Sequence, residues 1–261
     1  MRPLPLAASA TLALLLAAAP AAAQTLAGHI AAGDAARCER NSPAALEHYR
    51  EALALDSLNY EANWKASREL TDIGKLMPDA ERQARDSVYA EALGFAQRAV
   101  SVDSMGADGH YMVAVAAGRV ALTKSAHERV KSARVVRDAA LRAIALDPRH
   151  DGALHVMGRW NAEIMRLTGI TKFFARTFLG ASIFGAASWD SSFAYFGRAI
   201  QINPQNIYHH LDLAEALVDD RRGTQAQPHL EEVARLPLGC DSGDSTYKAQ
   251  AAALLRKITL R

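Results

Sequence analysis

The side chains in this sequence that could do chemistry are spaced for binding. His155 and Trp160 stand five apart in LHVMGRW, His209 and His210 are neighbours, and Asp219 and Asp220 run directly into Arg221 and Arg222. Adjacent helical positions point in different directions, so His209 and His210 are poorly placed to chelate one metal. His155 with Trp160 reads as packing and groove lining, and the Asp–Arg run as a charged helix end and turn. The sequence holds no phosphate-cradling glycine loop, HExxH zinc helix or GxSxG nucleophile elbow. Cys38 and Cys240 do not have metal-ligand spacing. The expectation is a protein with no catalytic residue, no metal site and no cofactor.

The elements that would present binding residues are helices. Half of the 261 residues are apolar, alanine is abundant and β-branched runs are scarce, a composition that favours helix over sheet. The first 23 residues form a separate unit. Arg2 is a short positive start, Leu4 to Ala19 an apolar run, and Pro20 with Ala21–Ala23 a small-residue cleavage site, the pattern of a secretory signal peptide. The apolar run is shorter than the ~20 residues a spanning helix needs. Cleavage near Ala23 predicts an exported protein, periplasmic or secreted. Removing Arg2 with the leader leaves 29 basic against 28 acidic side chains, which gives no support to nucleic-acid binding. The local basic cluster of Arg119, Lys124, Arg129, Lys131, Arg134 and Arg137 reads as a solvated helix face and loop.

Residues 24–261 read as one repeat domain. Five segments align without gaps: ALEHYREALALD (45–56), ALGFAQRAVSVD (92–103), VRDAALRAIALD (136–147), SFAYFGRAIQIN (192–203) and AQPHLEEVARLP (226–237). Their first positions are Ala45, Ala92, Val136, Ser192 and Ala226. Four residues on come Tyr49, Ala96, Ala140, Phe196 and Leu230, and three further on Ala52, Ala99, Ala143, Ala199 and Val233. This i, i+4, i+7 spacing places all three on one helix face. Each exit leads into a partner helix; in AIALDPRHDGALHVMGRW (143–160), Pro148 stops one helix and a second starts near Asp151. Gly33, Ser67, Ala114, Gly158 and Ala214 are the small residues at the close-approach position of the partners. The expectation is an all-α, TPR-like helical-hairpin solenoid of about five repeats, with residues 244–260 as a closing helix capped by Asp244 or Ser245.

The exits are 47, 44, 56 and 34 residues apart, and only the last equals the tetratricopeptide period. The longest insertion, about residues 168–190, is strongly apolar through Phe173, Phe174, Phe178 and Phe184. It reads as a helix tucked into the groove or over its edge, or as a lid on an apolar ligand or a membrane-surface segment. Stacked repeats contact only their neighbours, so Cys38 and Cys240, in the first and last repeats, are expected to stay apart.

LHVMGRW (154–160), the inserted KFFARTFLGA (172–181), SFAYFGRAIQINP (192–204), LDLAEAL (211–217) and KAQAAALL (248–255) occur in an order that resembles the regulator of microtubule dynamics family, from about His110 to Ile258. The resemblance implies a TPR-like solenoid without catalytic residues. It links eukaryotic members with microtubules and mitochondrial contacts and brings a hint of lipid binding; the export signal argues against microtubule work here.

In TPR geometry the first helix of each pair lines a concave groove. The repeat register then selects Trp64, Arg68, Tyr111, His155, Arg159, Tyr208, Leu211 and Glu215 as partner-binding candidates, with arginines to fork onto carboxylates and aromatics to supply contact area. The expected partner is a protein or peptide. The alternative is a lipid or other apolar ligand, or a membrane surface, with the 168–190 insertion as lid.

Overall fold

The computed structural model of the chain describes residues 25–260 except 123, 169–171, 174, 175 and 178–183. The expected leader, and Phe174 and Phe178 of the insertion, lie outside the described residues. Among those described, eleven α-helices form five hairpins and a closing helix. The hairpins are α1 (Leu26–Cys38) with α2 (Ser42–Leu55), α3 (Tyr60–Leu76) with α4 (Arg82–Val102), and α5 (Ala107–Leu122) with α6 (Ala126–Leu146). They continue with α7 (Asp151–Arg166) and α8 (Trp189–Ile202), then α9 (Ile207–Asp219) and α10 (Gly223–Arg235). The closing helix is α11 (Asp244–Thr259).

Each turn is written in the local sequence. Asp56, Asp103 and Asp147 end α2, α4 and α6, and each carboxylate takes the backbone N–H two residues on, at 2.8–3.0 Å. This Asx-type turn ends one helix, and a side-chain cap opens the next: Asn59 onto Ala62, His150 onto Ala153, Asn206 onto Tyr208 and His209. For α11 the structure differs from expectation. Gly243 occupies the N-cap without a side-chain bond, because the Asp244 carboxylate is turned back onto the Gly239 N–H at 2.7 Å.

The core is the stripe that the aligned segments predict. Of the fifteen aligned positions all but Val136 are buried. Volume is traded across each pair. Where the second helix carries a large ring, the first carries glycine: a Cβ on Gly158 would lie 2.8 Å from the Phe196 ring, and one on Gly33 would strike Tyr49. Where the second helix carries Ala96, Ala140 or Leu230, the partners are Ser67, Ala114 and Ala214. Gly158→Ala is therefore expected to cost about 1–3 kcal/mol by overpacking. The double change Gly158→Ala with Phe196→Leu, which copies the Ala214–Leu230 pair, should recover most of that. Thermal melts of the single and double variants check this; equal losses in both would remove the ring as the cause.

Insertions are absorbed in two ways. In the second and third hairpins they lengthen helices, with α4 and α6 at 21 residues against 13 for α10. In the fourth they separate α7 from α8. There Phe184 packs partly buried against a cluster that includes Met157, Trp160 and Ile164, while Phe173 is 66% exposed.

The expectation that the ends stay apart is overturned. Cys38 and Cys240 form a disulfide. The ends meet through a linker, not through stacked helices: the segment after α10 crosses the concave side and reaches the turn that follows α1. Arg40 Nη1 donates to the Gly239 carbonyl at 3.3 Å, and Lys75 Nζ donates to the Tyr247 hydroxyl at 2.8 Å. The nearest-neighbour rule describes the helices and says nothing of a strap laid across them.

Candidate functional site

The strap turns a groove into a bore. Inward-facing residues of α3, α5, α7 and α9, with Arg37, part of α6, Pro237–Asp241 and Asp244, line a cavity of about 1020 Å³. A second chamber of about 650 Å³ lies against Leu76–Tyr89 and α11. The two adjoin at Lys75, Arg119, Leu122, Arg159 and Tyr208, which line both.

Six of the eight sequence-selected residues line the larger chamber: Trp64, Arg68, Tyr111, His155, Arg159 and Tyr208. Glu215 lines the smaller one. Leu211 lines neither. It is 1% exposed in the core with Phe196 and Leu230, because Tyr208, Asp212 and Glu215 hold the inward stripe of α9 and position 211 falls on its shoulder. His209 and His210 go separate ways, to His155 and to His229. None of the described residues of the 168–190 insertion lines the cavity.

Two ion-pair ladders stiffen the wall. In the first, Arg37 Nη1 donates to Glu69 Oε1 and Asp72 Oδ2, both at 2.8 Å, and Arg68 Nε donates to the same Glu69 oxygen at 2.8 Å. Lys75 pairs with Asp72 at 2.6 Å. Burial drives the Lys75 ammonium downward, but Asp72 and Asp241 outweigh it and hold the group well above its usual range. This ladder joins α1 and α3 to the strap and α11.

The second ladder crosses α7 and α9. Arg159 donates to the Tyr208 hydroxyl and, at 3.0 Å, to Asp212 Oδ2, which also lies 3.1 Å from His155 Nε2. Behind it, His155 Nδ1 faces His209 Nδ1 at 3.0 Å, and His209 Nε2 lies 3.0 Å from Asp151 Oδ2. Burial lowers the pKa of His155 to about 4, even with Asp212 beside it. Burial, then the neighbouring Asp212, pushes Glu215 up to about 7.

Lys75, Asp72 and Asp212 line the two chambers without being among the sequence-selected residues. Each was within reach: Asp72 and Lys75 continue the Trp64–Arg68 stripe by one and two turns, and Asp212 lies one turn beyond Tyr208. Arg119 and Arg129, read as solvated, line the cavity; nothing local marks them, because the strap and α3 that face them are distant in sequence.

The regulator of microtubule dynamics protein 1-3 family matches residues 30–259. The chain belongs to the regulator of microtubule dynamics family. The match begins at Ile30, so the N-terminal hairpins, which the motifs before His110 identify loosely, are part of it. Regulator of microtubule dynamics protein 1 from Bos taurus is 24% identical over 153 residues, covering 59% of this chain and 47% of that protein. The Homo sapiens protein is 24% identical over 145 residues, 56% of this chain and 45% of its own length. The matched span is thus about half the length of these curated relatives. In fold the chain is similar to TTC0263, a thermophilic TPR protein of Thermus thermophilus, with a TM-score of 0.63, 15% identity, and coverage of 89% of this chain and 100% of that one. PilF of Pseudomonas aeruginosa aligns with a TM-score of 0.50 and 14% identity over 89% of this chain and 91% of its own. Among the described residues no helix is long and apolar enough to cross a membrane.

Proposed function

We propose that this protein is a non-enzymatic, exported interaction scaffold whose bore grips a short extended protein segment. One observation carries the reading: inward side chains of four successive first helices converge on one chamber, with Trp64, Tyr111 and Tyr208 among guanidinium groups. Aromatic walls give contact area at low entropic cost. Arg119 and Arg129 have no carboxylate partner among the described residues, so a segment bearing an acidic side chain or a terminal carboxylate suits them. The apolar leader and the Cys38–Cys240 disulfide, a bond that persists in oxidising compartments, both support export.

Capture from envelope extract tests the reading, with wild type, Trp64→Ala and Arg119→Glu as baits. These two are chosen over Arg159→Glu, which would also break the Asp212 pair. A partner retained by wild type and lost several-fold by both variants supports the bore as the site. Equal recovery from all three baits removes it. Native mass spectrometry of the same preparations reads a bound apolar ligand directly, and finding one in place of a peptide would replace the proposal.

A further inference from the structure

Away from the bore, the first hairpin carries a cluster made of metal-ligating groups. His48 and Glu51 are one turn apart on α2 and share a face; the pairing of α1 with α2 brings His29 to the same point. His29 Nδ1 lies 2.8 Å and His48 Nδ1 3.0 Å from the same oxygen, Glu51 Oε2. One ligand atom from each of the three lies within 4.8 Å of the others. The side chains of His29, His48 and Glu51 are 18%, 37% and 45% exposed, so an ion from solution reaches them while two helices hold their backbones. None of the three lines the cavity.

Both imidazoles aim the same nitrogen, Nδ1, at one carboxylate oxygen. A single cation there takes a lone pair from each of the three groups. With metal–nitrogen and metal–oxygen bonds of about 2.0–2.2 Å, neighbouring donors in a tetrahedral shell sit about 3.3–3.6 Å apart. The two N···O separations, 2.8 and 3.0 Å, widen to that length with a small rotation of these partly exposed side chains. Imidazole donors select a transition metal, while calcium and magnesium call for oxygen ligands.

We propose that His29, His48 and Glu51 form a three-ligand site for a divalent transition metal of the zinc or copper class. The site leaves a coordination position open to water or to a side chain of a bound molecule, and it staples α1 to α2. Sequence spacing hides it, because one ligand lies on a different helix from the other two.

Isothermal titration of EDTA-stripped protein with Zn²⁺ at pH 7.5 tests the site, with Mg²⁺ and Ca²⁺ as comparisons. One equivalent of Zn²⁺ is expected to bind and to raise the melting temperature, and the other two ions are expected to give no signal. His29→Ala, His48→Ala and the shape-conserving Glu51→Gln should each weaken zinc binding more than about ten-fold. A His210→Ala/His229→Ala variant, which alters a second histidine pair on α9 and α10, should bind as wild type does. The proposal is overturned if stoichiometric binding is absent, or if it survives His29→Ala and Glu51→Gln in protein whose circular dichroism shows native helix.

Discussion

Replacing Cys240 with serine is expected to lower the melting temperature by about 10–20 °C. The bond closes a loop of 202 residues, and the chain-entropy estimate for such a loop is about 5 kcal/mol. A domain of this size loses roughly 2–4 °C per kcal/mol. The non-covalent part of the clasp persists: Lys75 still reaches Tyr247 and Asp72, and Tyr208 still stacks on Tyr247 with ring centroids 4.5 Å apart. These polar contacts close the same large loop without a covalent tie, so opening of the strap should become detectable. Two measurements check it. Thermal melts of wild type with and without reductant should reproduce the variant's shift, and small-angle scattering should show an expanded, open superhelix. A loss below about 3 °C would show that the helix stack alone sets the curvature.

The second large effect is expected at Asp212. Burial pushes its carboxyl upward, and Arg159 with His155 outweighs that and holds it well below the usual carboxylate range. Asp212→Ala leaves the Arg159 guanidinium without its nearest counter-charge. Removing one partner of a buried pair costs about 3–5 kcal/mol. Arg159 keeps 41% of its side chain exposed to the bore, which brings the expectation to about 2–3 kcal/mol. Chemical denaturation measures it, and a loss under about 0.5 kcal/mol would mark the pair as a surface contact. Asp212→Asn supplies a readout that packing does not move: with the like charge gone, the Glu215 carboxyl should titrate below the value of about 7 it has beside Asp212, as followed by side-chain NMR.

The same groups shape stability against pH. Glu215 goes from 4.5 in the unfolded chain to about 7, so its contribution is present below 4.5 and is lost as pH rises towards 7. His155 goes from 6.5 to about 4, so stability is lost as pH falls from 6.5 towards 4. The two slopes oppose each other between pH 4.5 and 6.5. Glu215→Gln should unmask the histidine slope in melts recorded across that range.

The helical hairpins, their five exits and the buried stripe through Tyr49, Phe196 and Leu230 were legible in the sequence. These features are local: a side chain's face follows from its position in a 3.6-residue turn, and an aspartate at an exit bonds its own backbone. That register also placed Trp64, Arg68, Tyr111, His155, Arg159 and Tyr208 on inward faces, and it failed at Leu211, where a small error in angle separates the wall from the core. Only the tertiary structure decided that the superhelix closes, that Cys38 meets Cys240, and that Lys75, Arg119 and Asp212 belong to one bore. Those facts depend on the summed curvature of five hairpins and on a strap that follows the last of them. Small angles at each helix pair add up over the whole chain, and no single stretch of sequence records the sum.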